Sequence, residues 1–317
     1  MTPILQVSHL SKSFRIGRKK SLKALRDVSF SLSQGTVTCL VGESGSGKTT
    51  LANLLLRLIL PDSGEIFYKG IPVVKAEKET LNFLRREMQA IFQNPYLSFN
   101  PRIKIKTAFD NVLKVAFRKM KPSDRFAAME ALLQQVNLPV ESVQKYPSQF
   151  SGGQQQRLAI ARALAPGPRL LVADEPVSSL DASNKKQVLA LLQKLQREKN
   201  LTVFLISHDL RVVRQIADFL LVLYAGELVE MAGSAAFFSH AAHPYSRALL
   251  DATPRLGAGK ETARIFLAGD PPDLTQTNKG CIFAPRCPRA TPVCFSESPG
   301  WQTVDAAHQV RCHFPVV

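Results

Sequence analysis

Gly42-Glu43-Ser44-Gly45-Ser46-Gly47-Lys48-Thr49 has the spacing G-x-x-x-x-G-K-[ST], whose glycines let consecutive backbone N–H groups curl round a polyphosphate. Lys48 would bridge the β- and γ-oxygens, Thr49 would ligate Mg²⁺, and Thr50 continues the motif into the next element. Residues 170–175 (LLVADE) form an apolar run that ends in two carboxylates. Asp174 would hold Mg²⁺ through water, and Glu175, one residue beyond the strand, would act as base or water-positioning group. In Phe150-Ser151-Gly152-Gly153-Gln154, small residues and a hydroxyl stand at a helix start, where free N–H groups and the helix dipole favour a γ-phosphate. That seat lies too far along the chain to be the floor of the first loop. Phe14 is an aromatic that could stack on adenine or fill a strand core.

These groups need elements to hold them. Residues 36–41 (TVTCLV) read as a buried strand, and residues 48–59 as a helix, with Leu51, Leu54, Leu55, Leu58 and Ile59 on one face. The glycine loop therefore joins a strand to a helix, the context its chemistry requires. Pro61-Asp62-Ser63-Gly64 ends that helix, and Tyr68-Lys69-Gly70 predicts a tight turn in an antiparallel ribbon. From about 93 to 149 the pattern is helical, most clearly over 127–136. Strand character returns at 169–173, 202–206 and 219–224, with helices over 185–197 and 210–217. Such alternation predicts an α/β layer fold, without internal repeats.

The chain has 317 residues, 45% of them hydrophobic, enough to bury a sizeable core. It has no apolar run of the roughly 18 to 20 residues that cross a bilayer, and its start lacks a signal-peptide layout. A cytoplasmic chain, held to a membrane only by partners, is the expectation. Forty-one Lys and Arg against 25 acidic residues give a formal charge of +16, which suits nucleic acid, anionic lipid or polyphosphate. The cluster Arg15, Arg18, Lys19, Lys20 and Lys23 lacks interleaved aromatics and reads as a solvated hairpin tip. Of five cysteines, Cys39 reads as a small core residue. Cys281, Cys287, Cys294 and Cys312, spaced C-x5-C-x6-C-x17-C in a Pro-rich segment, read as a metal staple. Structural zinc, with His308 and His313 as substitute ligands, and reduced thiols without metal are the alternatives.

With the phosphate loop and the LLVADE strand beside it, the Phe150–Gln154 segment resembles the signature loop of ATP-binding cassette (ABC) proteins. The resemblance implies a P-loop NTPase (RecA-like) core with an antiparallel β ribbon over 1–92 and 160–233. It also implies an inserted helical subdomain with the signature loop over 93–159 and a short Cys-rich C-terminal extension over 234–317. It assigns Ser151, Gly152, Gly153 and Gln154 to the ATP of a second subunit, and Ser178-Ser179-Leu180-Asp181 to the loop crossing to that ATP. His208 matches the switch histidine at the γ-phosphate, and Gln93 the hinge glutamine at Mg²⁺ or the attacking water. The working unit would be a head-to-tail pair with two ATPs. Phe150 in place of the commoner Leu, and Ser179 in place of Ala, are departures that remove no catalytic group.

Ile91-Phe92-Gln93-Asn94-Pro95, Ser98-Phe99-Asn100-Pro101-Arg102 and His243-Pro244-Tyr245-Ser246-Arg247-Ala248-Leu249-Leu250 resemble ATPase subunits of dipeptide, oligopeptide and nickel importers, the F-type subunit of the dipeptide systems best. That implies an ATP hydrolase lying peripherally on the cytoplasmic face of the inner membrane. Its implied partners are a paralogous ATPase subunit in a heterodimer, two transmembrane permease subunits and an extracytoplasmic substrate-binding protein, without nucleic acid. Peptide is the implied cargo, with nickel, metallophore or haem as the alternative and a non-transport ABC ATPase as the alternative from another class. The same resemblance suggests a [4Fe–4S] cluster on the four C-terminal cysteines, although their spacing matches none of the common ferredoxin patterns.

Overall fold

The structure, a computed structural model, describes residues 3–17, 20–252, 272–275 and 279–316. Arg18 and Lys19 of the basic cluster lie outside the described residues. The chain opens with β1 (Pro3–Ile16), β2 (Lys20–Ser33), β3 (Val37–Val41), α1 (Lys48–Leu55), β4 (Ser63–Tyr68) and β5 (Ile71–Pro72). Next come α2 (Lys78–Glu87), β6 (Met88–Ile91), α3 (Ile105–Ala116), α4 (Pro122–Gln135), α5 (Gly152–Leu164), β7 (Leu170–Asp174), α6 (Ala182–Lys199) and β8 (Thr202–Ile206). The last part holds α7 (Leu210–Ile216), β9 (Phe219–Tyr224), β10 (Glu227–Gly233), α8 (Ser234–His240), α9 (Pro244–Ala252), α10 (Pro292–Ser296), β11 (Gln302–Asp305) and β12 (His308–Val310).

These elements fall into two units. The first comprises Met1–Ile4, Leu32–Thr36 and Lys75–Ile206. In it β6, β7 and β8 run parallel, with Met88 opposite Leu170 and Leu170 opposite Thr202. Every residue of β7 and β8 is buried, as befits parallel strands covered on both faces. Within this unit α3 packs on α4 and α4 on α5. Phe99 stacks near Phe109 at 6.4 Å, and Arg162 lies 5.6 Å from the Phe99 ring centre.

The second unit comprises Leu5–Ser31, Val37–Val74 and Ser207–Val317. Here β3 runs parallel to β9, while β9 with β10, β10 with β12 and β12 with β11 are antiparallel. A four-stranded sheet has the order β2-β1-β4-β5. Its β4–β5 turn carries Lys69 (φ 49°) and Gly70 (φ 77°), both left-handed, as a two-residue hairpin requires. Helix α1 ends at Leu55, short of the expected Ile59, because Arg57 turns left-handed (φ 52°) and the Leu58 amide reaches back to the Asn53 carbonyl at 2.8 Å. This capping geometry closes the last turn, so the apolar spacing runs on past the helix and leaves Leu58 58% exposed.

One carboxylate ties the later elements of this unit together. Glu230, on β10 and fully buried, accepts from the amides of Ala242 (2.7 Å) and His243 (2.9 Å), and lies 2.7 Å from His308 Nε2. Removing it would strand buried donors on the approach to α9 and on β12. We expect Glu230→Ala to cost about 3–5 kcal/mol of stability, read as a lower urea midpoint. An unchanged midpoint would mean that those donors find other partners.

Candidate functional site

The phosphate loop is built in the second unit, where buried β3 delivers it and α1 receives it. Gly45 (φ 79°) and Gly47 (φ 105°) take left-handed conformations, and a Cβ on Gly47 would run into the Ala24 carbonyl. Only glycine fits there. The Ser46 amide donates to the Glu43 carbonyl (3.2 Å), and the Gly226 amide donates to the Ser46 carbonyl (2.9 Å). Lys48 Nζ lies inside the curl, donating to the carbonyls of Gly42 (2.9 Å) and Glu43 (2.6 Å). Lys48 and Ser46 are buried, whereas Ser44, Gly45 and Thr49 are exposed and Thr50 is half-buried. The Thr49 hydroxyl is a hard oxygen donor of the kind Mg²⁺ takes.

Other predicted residues of this unit fall near the loop's supports. The Ser207 amide donates to the Leu40 carbonyl (3.2 Å), so exposed His208 follows directly from a residue tied to β3. Phe14 is 39% exposed with Lys12 Nζ 5.6 Å over its ring, which rules out the strand-core reading.

In the first unit β7 ends at Asp174, a buried carboxylate whose oxygens also suit Mg²⁺. The chain then turns sharply. Glu175 is left-handed (φ 46°), a conformation non-glycine residues rarely adopt. Its amide donates to the Ile206 carbonyl (3.0 Å), and its carbonyl accepts from the amide (3.2 Å) and hydroxyl (3.1 Å) of Ser178. Gln93 Nε2 donates to Glu175 Oε2 at 3.1 Å, so these two predicted residues meet.

Ser151 caps α5 reciprocally with Gln154: the Gln154 amide donates to Ser151 Oγ (3.4 Å) and Gln154 Oε1 accepts from the Ser151 amide (3.0 Å). A Cβ on Gly153 would clash with Asn184, which donates to Asp181 Oδ2 at 2.6 Å. Asp181 caps α6 through the amides of Ser183 and Asn184. The start of α5 and the Asp181 loop are thereby packed together, with glycine as the condition of the contact. Gln155, not assigned a role from the sequence, is buried and donates to the carbonyls of Pro147 (2.8 Å) and Phe150 (3.2 Å), fixing the entry to α5.

Cys281, Cys287, Cys294 and Cys312 all line one pocket with His313, Phe283 and Phe314, and none is disulfide-bonded. Burial, helped by the neighbouring Cys312 and Cys287, pushes the Cys281 thiol up to about 11. Cys287 and Cys312 are raised by burial and then by the charges of the other thiols. Among the described residues, however, no group of three or more His, Cys, Asp or Glu side chains is arranged to hold a metal ion. The four thiols that the spacing marks as metal ligands thus share one pocket without forming a ready-made ligand set. His308, offered above as a substitute ligand, is instead buried against Glu230.

The sequence reading missed one set of contacts entirely. Glu43 of the phosphate loop pairs with Arg286 of the C-terminal region (2.9 Å), and its amide donates to the Tyr245 hydroxyl (2.8 Å). Separations of 243 and 202 residues leave no local signal for either.

Residues 25–178 match the ABC transporter family, and residues 229–294 match the oligopeptide/dipeptide transporter C-terminal region. A dipeptide transport ATP-binding protein of Haemophilus influenzae is 42% identical, over 94% of this chain and 92% of its own. An oligopeptide transport ATP-binding protein of Bacillus subtilis is 40% identical, over 92% of this chain and 89% of its own. Among solved structures, a dimeric ATP-binding cassette in a post-hydrolysis state with ADP and Pi is similar, with a TM-score of 0.65 and 29% identity over 73% of this chain and 98% of that one.

Proposed function

The chain belongs to the ATP-binding subunits of peptide-type ABC transporters, and on that premise we propose that it hydrolyses ATP to drive import of di- and oligopeptides through separate membrane subunits. The observation that carries the ATPase reading is the curled loop with the Lys48 ammonium inside it. In that position Lys48 and the amides of residues 42–49 bind the β- and γ-phosphates, and exposed Phe14 stacks on adenine. Thr49, Asp174 and Gln93 would hold Mg²⁺, which supplies charge neutralisation when bound.

Glu175 orients the attacking water, Gln93 fixes its carboxylate, and His208 serves as the contact to the γ-phosphate. The water oxygen bonds to the γ-phosphorus as the bond to the β–γ bridging oxygen breaks, and the water's proton passes towards Glu175. Ser151, the amides of Gly152 and Gly153, and Gln154 serve the ATP held by a second subunit, with Asp181 on the crossing loop. A paralogous ATPase in a heterodimer, two permease subunits and an extracytoplasmic binding protein complete the assembly at the cytoplasmic face of the inner membrane. Among the described residues no helix is long and apolar enough to cross a membrane.

On this reading Cys281, Cys287, Cys294 and Cys312 would hold a [4Fe–4S] cluster, a proposal supported by all four thiols lining one pocket. Bound there, it would supply cross-linking of the C-terminal segment. Protein purified without oxygen should contain about four irons and four sulfides per chain, and a chain with zinc alone or without metal would contradict the cluster. For the ATPase, Glu175→Gln should keep ATP binding and lose about 10²–10⁴-fold in turnover. Turnover near wild type would remove Glu175 from the mechanism.

A further inference from the structure

Glu43 occupies a position where the phosphate-loop spacing leaves the residue type open. Here all three of its polar groups are engaged. Its amide donates to Tyr245 Oη (2.8 Å), its carbonyl accepts from Lys48 (2.6 Å), and its carboxylate accepts two bonds from Arg286, Nη1 to Oε2 at 2.9 Å and Nη2 to Oε1 at 3.3 Å. Arg286 is itself pinned. Its Nη1 lies 3.3 Å from Tyr224 Oη, its guanidinium 5.8 Å from the Tyr224 ring centre, and its side chain is only 8% exposed.

Arg286 ends the short helical turn Ala284–Arg286, between Cys281 and Cys287. Phe283 anchors the turn, edge-on to Tyr224 at 5.1 Å and tilted against Tyr245 at 5.5 Å. The Ala284 amide donates to the Cys281 carbonyl (3.1 Å), and the Cys287 amide to the Ala284 carbonyl (3.2 Å). A forked guanidinium fixes both the direction and the rotation of a carboxylate, which an ammonium does not. A carboxylate on a loop that wraps a polyphosphate would also repel it, and the guanidinium cancels that charge.

We propose that Arg286 is a positioning residue for ATP binding: by clamping and neutralising Glu43 it holds the curl of the phosphate loop and ties it to the cysteine-lined turn of the C-terminal region. Changes at Cys281 or Cys287 then reach the phosphate loop through one guanidinium. The inference rests on reading residues 42–49 as an ATP site.

Isothermal titration of the full chain with Mg-ATP tests it. Arg286→Ala should weaken binding about tenfold, and the same change made together with Glu43→Gln should weaken it less than about twofold relative to Glu43→Gln alone. Arg286→Lys, which keeps the charge but not the fork, should recover part of the affinity. In steady-state turnover KM for ATP should rise while kcat changes by less than about twofold. Equal losses in the two backgrounds, or no loss in either, would overturn the proposal. If Arg286→Ala does not fold, Arg286→Lys in the two backgrounds carries the same comparison. Wild-type protein that binds no Mg-ATP would sink the ATP-site reading itself, an outcome distinct from wild-type binding that Arg286→Ala leaves unchanged.

Discussion

A loop can close its amides round a phosphate only if the backbone between β3 and α1 turns through conformations that side chains resist, while its walls come close enough to hold the turn. Gly45 and Gly47 supply the left-handed backbone, and the Ala24 carbonyl stands where a Gly47 side chain would be. The wall on the β9 side is the Ala225–Gly226 turn, whose Gly226 amide grips the Ser46 carbonyl while the Gly226 carbonyl takes the Arg26 amide at 2.8 Å. Loop, β2 and the β9–β10 hairpin are thus mutually dependent. Lys48, bonded to two loop carbonyls, then holds its charge inside the curl with little freedom left to lose.

Glu175 in the other unit, proposed above to orient the attacking water, follows a similar rule, with strain in place of glycine. Glu175 holds a left-handed backbone because Ser178 and Ile206 bond its carbonyl and amide, and Gln93 then fixes the carboxylate itself. Strain of this kind survives only where neighbours over-determine it. The start of α5 is set as firmly: the Ser151–Gln154 reciprocal cap orients its free amides, and glycine at 153 admits Asn184 and the Asp181 loop.

The parts of this arrangement that local chemistry decides were legible in the sequence. Strand, glycine loop and helix followed from apolar spacing and Gly placement, and β3, β7, β8 and β9 lie within a residue of where the pattern put them. The end of α1 was not legible, because a left-handed Arg57 terminates it while leucine spacing continues. Thiol clustering was visible as spacing, yet the presence of a shared pocket in place of a tight ligand set depends on how Phe283 and α10 pack. Long-range partners escaped altogether. Neither Glu43 nor Arg286 carries a motif that names the other.

The C-terminal region is therefore more than an appendage on the ATPase: it supplies β11 and β12 to the second unit, closes on buried Glu230, and reaches the phosphate loop through Arg286. Together these parts make a chain that converts ATP hydrolysis into peptide import. The most direct test is the ATPase rate of the chain assembled with its membrane subunits, with and without binding protein carrying a di- or oligopeptide. Stimulation by the peptide-loaded binding protein is the predicted result. A rate that ignores peptide and responds only to a nickel- or metallophore-loaded binding protein would contradict it.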